Sequence, residues 1–156
     1  MKGRVCLDLD GVLARSGPWQ GIDHIGEPIL GSVEFTYELS EFAYIIIHTT
    51  RCTEYPPGTQ APPGAVDIDR RPSSELARIV ADWLDLYGYT YDEIHTGQGK
   101  PYASAYIDDR AVVCRPQDSH HPQFEYQHAL ASIATLCSEQ EAYSLKHQYV
   151  SGCCGG

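Results

Sequence analysis

The chain has 156 residues, enough for one domain with a real core, and an ordinary soluble composition of 42% hydrophobic and 21% charged residues. Eleven Lys and Arg stand against 21 Asp and Glu, a formal net charge of -10, which disfavours a nucleic-acid backbone as partner because that needs clustered cations. No apolar run is long enough to span a membrane, and the opening MKGRVCLDLDG has neither the apolar core nor the cleavage site of a signal peptide, so a cytoplasmic protein is expected.

The first predicted element is a strand over Gly3–Leu9. It ends on Asp8-Leu9-Asp10-Gly11, two carboxylates and a residue that lets the backbone turn sharply. Two anions so close repel, and a hard divalent cation such as Mg²⁺ removes that penalty while accepting carboxylate, water and phosphate oxygens. An insert follows from about Val12 to Leu30, rich in Gly and Pro and carrying Trp19, Asp23, His24 and Glu27. It is too short for a folded cap and long enough for a flap.

A helix is predicted over Ser32–Glu41 with Ser32 as its cap, then a strongly β-prone strand over Ala43–His48 ending in His48-Thr49-Thr50-Arg51. By alternation His48 points away from Thr49 and reads as a packing histidine. A second insert, Cys52 to Pro72, contains PPGTQAPPG, is stiff and extended, and ends in Asp69-Arg70-Arg71. The clearest helix is Ser73–Tyr87. Leu76, Ile79, Val80, Trp83, Leu84 and Tyr87 form one apolar stripe, Ser73 can cap the start, and Gly88 suits a left-handed stop. Strands are predicted over Asp92–Thr96 and Ser104–Ile107, with a short fifth at Ala111–Cys114. Lys100 follows the third, and Asp108-Asp109-Arg110 the fourth. A helix of poorer periodicity covers Pro122–Cys137, and residues 138 to 150 stay open.

Six cysteines (Cys6, Cys52, Cys114, Cys137, Cys153 and Cys154) show no C-x-x-C and no zinc spacing, which fits free thiols in a reducing compartment. Cys153 and Cys154 lie in a terminal SGCCGG expected to be mobile. His120, His121 and His128 with Cys114 match no zinc pattern and read as a polar loop.

Strands alternating with helices predict an α/β domain with a parallel sheet, whose ligands gather at the carboxyl ends of the strands. Each polar cluster able to do chemistry lies just after a predicted strand. Carboxylates for a cation, hydroxyls for phosphate oxygens and a lysine to neutralise charge together suggest phosphoryl transfer through an Asp.

These four clusters, in this order, resemble the haloacid dehalogenase superfamily of aspartate-nucleophile phosphohydrolases over residues 3 to about 115. Asp8-Leu9-Asp10-Gly11 matches the first motif, Thr49 the second, Lys100 the third and Asp108-Asp109 the fourth. The T-x-R and I-D-D-R forms are similar to compact microbial and phage phosphatases and to deoxynucleotidase-like and polynucleotide phosphatase members. The resemblance implies a three-layer α/β/α Rossmann-like catalytic domain over 1–115, without a full cap, and an extension over 116–156. It implies a Mg²⁺-dependent phosphatase acting on phosphate monoesters through an aspartyl-phosphate. Asp8 would be the nucleophile and Asp10 the general acid, then base. Thr49 would bind the phosphoryl group and Lys100 would steady Asp8. Asp8, Asp10 (through its carbonyl) and Asp109 would hold the metal, with Asp108 in water-mediated contact, the last two being interchangeable. Thr50 and Arg51 are candidates to touch substrate, and Arg51 equally to pair with a surface carboxylate. The partner expected is a small phosphorylated molecule. An open site also leaves room for a nucleic-acid end, against the acidity, or for a second copy of the chain as lid. A nucleotide or polynucleotide-end phosphatase, and a non-catalytic phospho-acceptor module, stand as alternatives.

Overall fold

The computed structural model describes residues 2–60, 69–97 and 99–150, the stretch 139–150 by backbone alone. The middle of the second insert and the Cys153-Cys154 pair lie outside the described residues. The chain divides into two compact units, Met1–Asp109 and Arg110–Gly156.

The first unit holds a four-stranded sheet in the order β3-β2-β1-β4, with every pairing parallel. The strands are β1 Gly3–Leu7, β2 Ala43–Ile47, β3 Glu93–Ile94 and β4 Ala105–Ile107. Helix α1 (Ser32–Ser40) joins β1 to β2, and α2 (Ser73–Tyr87) joins β2 to β3. This is the expected α/β, Rossmann-like arrangement. Leu7, Ile45 and Ile47 of the sheet pack with Leu39 of α1 and Val80, Trp83 and Leu84 of α2 in one buried core. Fully burying each such side chain contributes about 1.5–3 kcal/mol, so α2 is held by its apolar stripe rather than by propensity.

Both helices start one residue earlier than their capping serines suggest. The cap of α1 is Gly31, in the left-handed region at φ 86°. Ser32 is already helical, and its hydroxyl is turned inward to the Leu13 and Ile29 carbonyls and the Tyr89 hydroxyl. The cap of α2 is Pro72, whose extended backbone (φ -57°, ψ 144°) presents its carbonyl to Glu75 and Leu76 N–H. Gly88 closes α2 in the left-handed region, as its position implies.

The strands at the two edges are shorter than their apolar runs. Asp92 stays out of β3 because its carboxylate accepts the Ile45 N–H at 2.7 Å, doing the work of a ladder carbonyl. The fifth strand does not form. The chain turns at Asp109 and Arg110, and Ala111, Val113 and Cys114 are exposed, so pairing there would bury nothing. The second unit carries a short 3-10 turn at Pro116–Asp118 and one helix, α3, which runs over Pro122–Val150 and so extends past Cys137.

Candidate functional site

The register of the sheet aligns Ile94, Ile47, Leu7 and Ile107 across its four strands. The ladder continues one residue further. His95 N–H donates to Ile47 O, His48 N–H to Leu7 O and Asp8 N–H to Ile107 O, at 2.8–2.9 Å. The next residues therefore form a second row at the carboxyl edge: His95, His48, Asp8, Asp108. Neighbouring strands lie ~4.8 Å apart, and residues level in a parallel sheet share a face. Two imidazoles and two carboxylates thus stand side by side. Beyond β3 the chain crosses back to the far side of β1 to make β4, so the topological switch lies at β1 and its crevice opens beside Asp8.

Asp8, Asp108 and Asp109 converge there, each offering one carboxylate oxygen within 4.8 Å of the others. Asp8 is half-buried, the other two exposed. Burial is the main reason its carboxyl is pushed up to about 6. The Leu9 N–H it accepts at 2.7 Å pulls the other way, and Asp108, Asp10 and Asp109 add repulsion. Such a set has the hard oxygen donors that a divalent cation of the Mg²⁺ kind takes, and a cation would relieve that repulsion. Gly11 makes the approach feasible. It turns at φ +87°, and a Cβ there would lie 2.3 Å from an Asp109 carboxylate oxygen.

Asp10 does not join the carboxylate triad with its side chain. Both its oxygens are held by Arg51, Nε to Oδ2 at 2.7 Å and Nη2 to Oδ1 at 2.8 Å. Arg51 itself is only 6% exposed. It is therefore neither a surface ion pair nor open to substrate, but the partner of the acid expected to move the proton. Its remaining Nη1 donates to Ile22 O at 3.0 Å, and the Trp19 ring lies over the guanidinium at 5.0 Å. This arginine joins the first insert to Asp10.

Thr49 is buried and caps a 3-10 turn, Thr50–Cys52, by accepting the Arg51 N–H at 3.3 Å. Thr50, at the start of that turn, is exposed. Lys100 places its ammonium 3.8 Å from the centroid of the Tyr106 ring on β4, a cation–π contact, and its charge reaches His48. At the rim, Arg71 pairs with both Asp23 and Asp69, tying the first insert to the end of the second.

His48, half-buried, lines with Thr49 one cavity of about 260 Å³. His95 faces His48 edge-on at 5.4 Å, and burial with this neighbour holds the His48 imidazole below its usual range. Cys52, on the same wall, has its thiol pushed up to about 11 by burial. Cys6, Cys52, Cys114 and Cys137 are all free thiols. His95 escaped the sequence reading, although a usable signal was present. Each strand's last branched residue is followed by a titratable one, in Leu7-Asp8, Ile47-His48, Ile94-His95 and Ile107-Asp108.

No protein-family model matches the chain, and no curated protein does. Two solved structures are similar. A conserved protein from Bacteroides thetaiotaomicron is 21% identical, over 72% of this chain and 79% of its own, with a TM-score of 0.46. A protein from Vibrio cholerae is 26% identical, over 84% of this chain and 98% of its own, with a TM-score of 0.41. The α/β assignment stands on the sheet order and register above. Among the described residues no helix is long and apolar enough to cross a membrane.

Proposed function

We propose that the chain is a Mg²⁺-dependent phosphatase acting on phosphate monoesters, of the haloacid dehalogenase type. The observation that carries this reading is the convergence of Asp8, Asp108 and Asp109 at the switch point, with Gly11 leaving room for the Asp109 carboxylate. Asp10, two residues after Asp8, favours turnover over a phospho-acceptor module, which has no use for a second acid to activate water.

In the first step an Asp8 oxygen attacks phosphorus, the bond from phosphorus to the leaving oxygen breaks, and Asp10 gives that oxygen its proton. In the second step water attacks the phosphorus of the Asp8 acyl phosphate, Asp10 takes the water's proton, and inorganic phosphate leaves with Asp8 restored. Both Asp10 oxygens accept from Arg51, so carrying a proton requires one of them to be released from the guanidinium. Bound Mg²⁺ would supply neutralisation of phosphoryl charge and a fixed approach angle. Thr49 would bind a phosphoryl oxygen through its hydroxyl.

The test is hydrolysis of p-nitrophenyl phosphate by the wild-type chain and by Asp8→Asn, each with Mg²⁺ and with EDTA. Activity in wild type that needs Mg²⁺ and falls at least ~10³-fold in the variant supports the reading. Equal turnover by the two proteins ends it.

A further inference from the structure

The row at the sheet edge does not stop at the carboxylates. One strand over from Asp8 stands His48, and one further stands His95, and these two form a wall of the 260 Å³ cavity together with Thr49, Thr53, Glu54 and Thr96. Thr49 lines this cavity, caps the turn after β2 and is read above as binding the phosphoryl group, so the cavity lies beside that site. We propose that this cavity is the leaving-group site and takes the uncharged, hydroxyl-bearing part of a sugar or polyol monophosphate, with His48 and His95 reading its hydroxyls. The phosphoryl half of that substrate rests on the phosphatase reading above; the polyol half rests on the cavity.

Size argues first. The volume is about nine waters' share of the liquid and falls just under the ~300–1,000 Å³ usual for drug-sized ligands. A pentose or hexose fits. Polarity argues second. Threonine hydroxyls and imidazole nitrogens supply hydrogen-bonding groups at several points, which suits a ligand whose every hydroxyl donates and accepts. Charge argues third. Among the described residues the lining carries no Lys or Arg and one carboxylate, Glu54, so a second phosphate would meet repulsion there. No Phe, Tyr or Trp plate for a nucleobase lies in the lining among the described residues.

The experiment has two arms on the full chain. In the first, kcat and KM are measured with Mg²⁺ for ribose 5-phosphate, glucose 6-phosphate, AMP and p-nitrophenyl phosphate, in wild type, His95→Phe and His95→Asn. The sugar phosphates should exceed AMP in kcat/KM by about tenfold or more. His95→Phe should raise KM for ribose 5-phosphate about tenfold, a larger loss than for p-nitrophenyl phosphate, and His95→Asn should restore part of it. Preference for AMP, or equal losses on both substrates, overturns the proposal. In the second arm, the imidazole NMR signals of His48 and His95 are followed as ribose is added without phosphate or Mg²⁺. Saturable shifts of both support the site, and unmoved signals overturn it. If no monoester is hydrolysed at all, the phosphatase reading has failed and the second arm alone decides the cavity.

Discussion

Arg51 holds both carboxylate oxygens of Asp10, with its Nε and Nη2 nitrogens 2.7 and 2.8 Å away. A planar guanidinium matches a carboxylate at two points, which a lysine ammonium cannot do. The same side chain reaches Ile22 O and lies under Trp19, so it links the acid, the first insert and the turn after β2.

Replacing Arg51 therefore has two readouts. Arg51→Ala leaves a part-buried carboxylate unpaired and removes one tie to the insert, and should cost about 2–4 kcal/mol in urea unfolding. Arg51→Lys keeps the charge and loses the fork. It should recover part of that stability while turnover of p-nitrophenyl phosphate stays ~10-fold or more below wild type. Wild-type turnover in Arg51→Lys would mean the two-point grip has no role in positioning Asp10.

Gly11→Ala should damage cation response more than folding. The positive φ costs an alanine about 1–2 kcal/mol, and its Cβ would displace the Asp109 carboxylate that now lies 2.3 Å from that position. The expected result is a folded protein whose stabilisation by Mg²⁺, read as the rise in Tm with added ion, is markedly smaller than in wild type. An unchanged rise would separate Asp109 from the cation site.

The Asp8 carboxyl gives a pH prediction with a definite sign. Its pKa in the folded chain, about 6, lies above the ordinary 3.8, so the metal-free folded state binds more protons than the unfolded state between these values. The contribution is complete below about 4 and is lost as pH rises through 6. Discounted for its part-exposure, the loss is about 1–2 kcal/mol. With EDTA, the stability difference between Asp8→Asn and wild type should widen in favour of the variant from pH 4 to pH 7. Added Mg²⁺ should reverse that trend, since the cation favours the charged form. A difference that is flat with pH would show that burial does not penalise this carboxylate.

The Tyr89 hydroxyl ties three segments, donating to Leu13 O at 3.0 Å and sharing a hydrogen bond with Ser32 Oγ at 2.6 Å, while its ring stacks on Trp83. Tyr89→Phe keeps the ring and removes the tie. A loss of about 1–2 kcal/mol in chemical unfolding is expected, with the Mg²⁺ response kept, because the carboxylate cluster is not part of this network. A loss of that response as well would mean the insert anchor also sets the cluster.

Much of this was legible before any coordinates. Three isoleucines before His48, the stripe of α2, and acids after Leu7 and Ile107 are strong local signals, and a parallel sheet brings its strand ends together by construction. What stayed hidden depended on non-local partners. Ser32 looks like a cap until Leu13 and Tyr89 claim its hydroxyl. The Arg51–Asp10 pair spans 41 positions and no spacing rule connects them. His48 and His95 meet edge-on only because β3 pairs beside β2.

The most direct test of the account is to stop turnover of p-nitrophenyl phosphate with acid in the presence of Mg²⁺ and map the protein by peptide mass spectrometry. The account predicts the mass of one phosphoryl group on the peptide carrying Asp8, absent from Asp8→Asn and absent when EDTA replaces the ion. A phosphoryl group found on any other residue, or hydrolysis that proceeds in Asp8→Asn as in wild type, would contradict it.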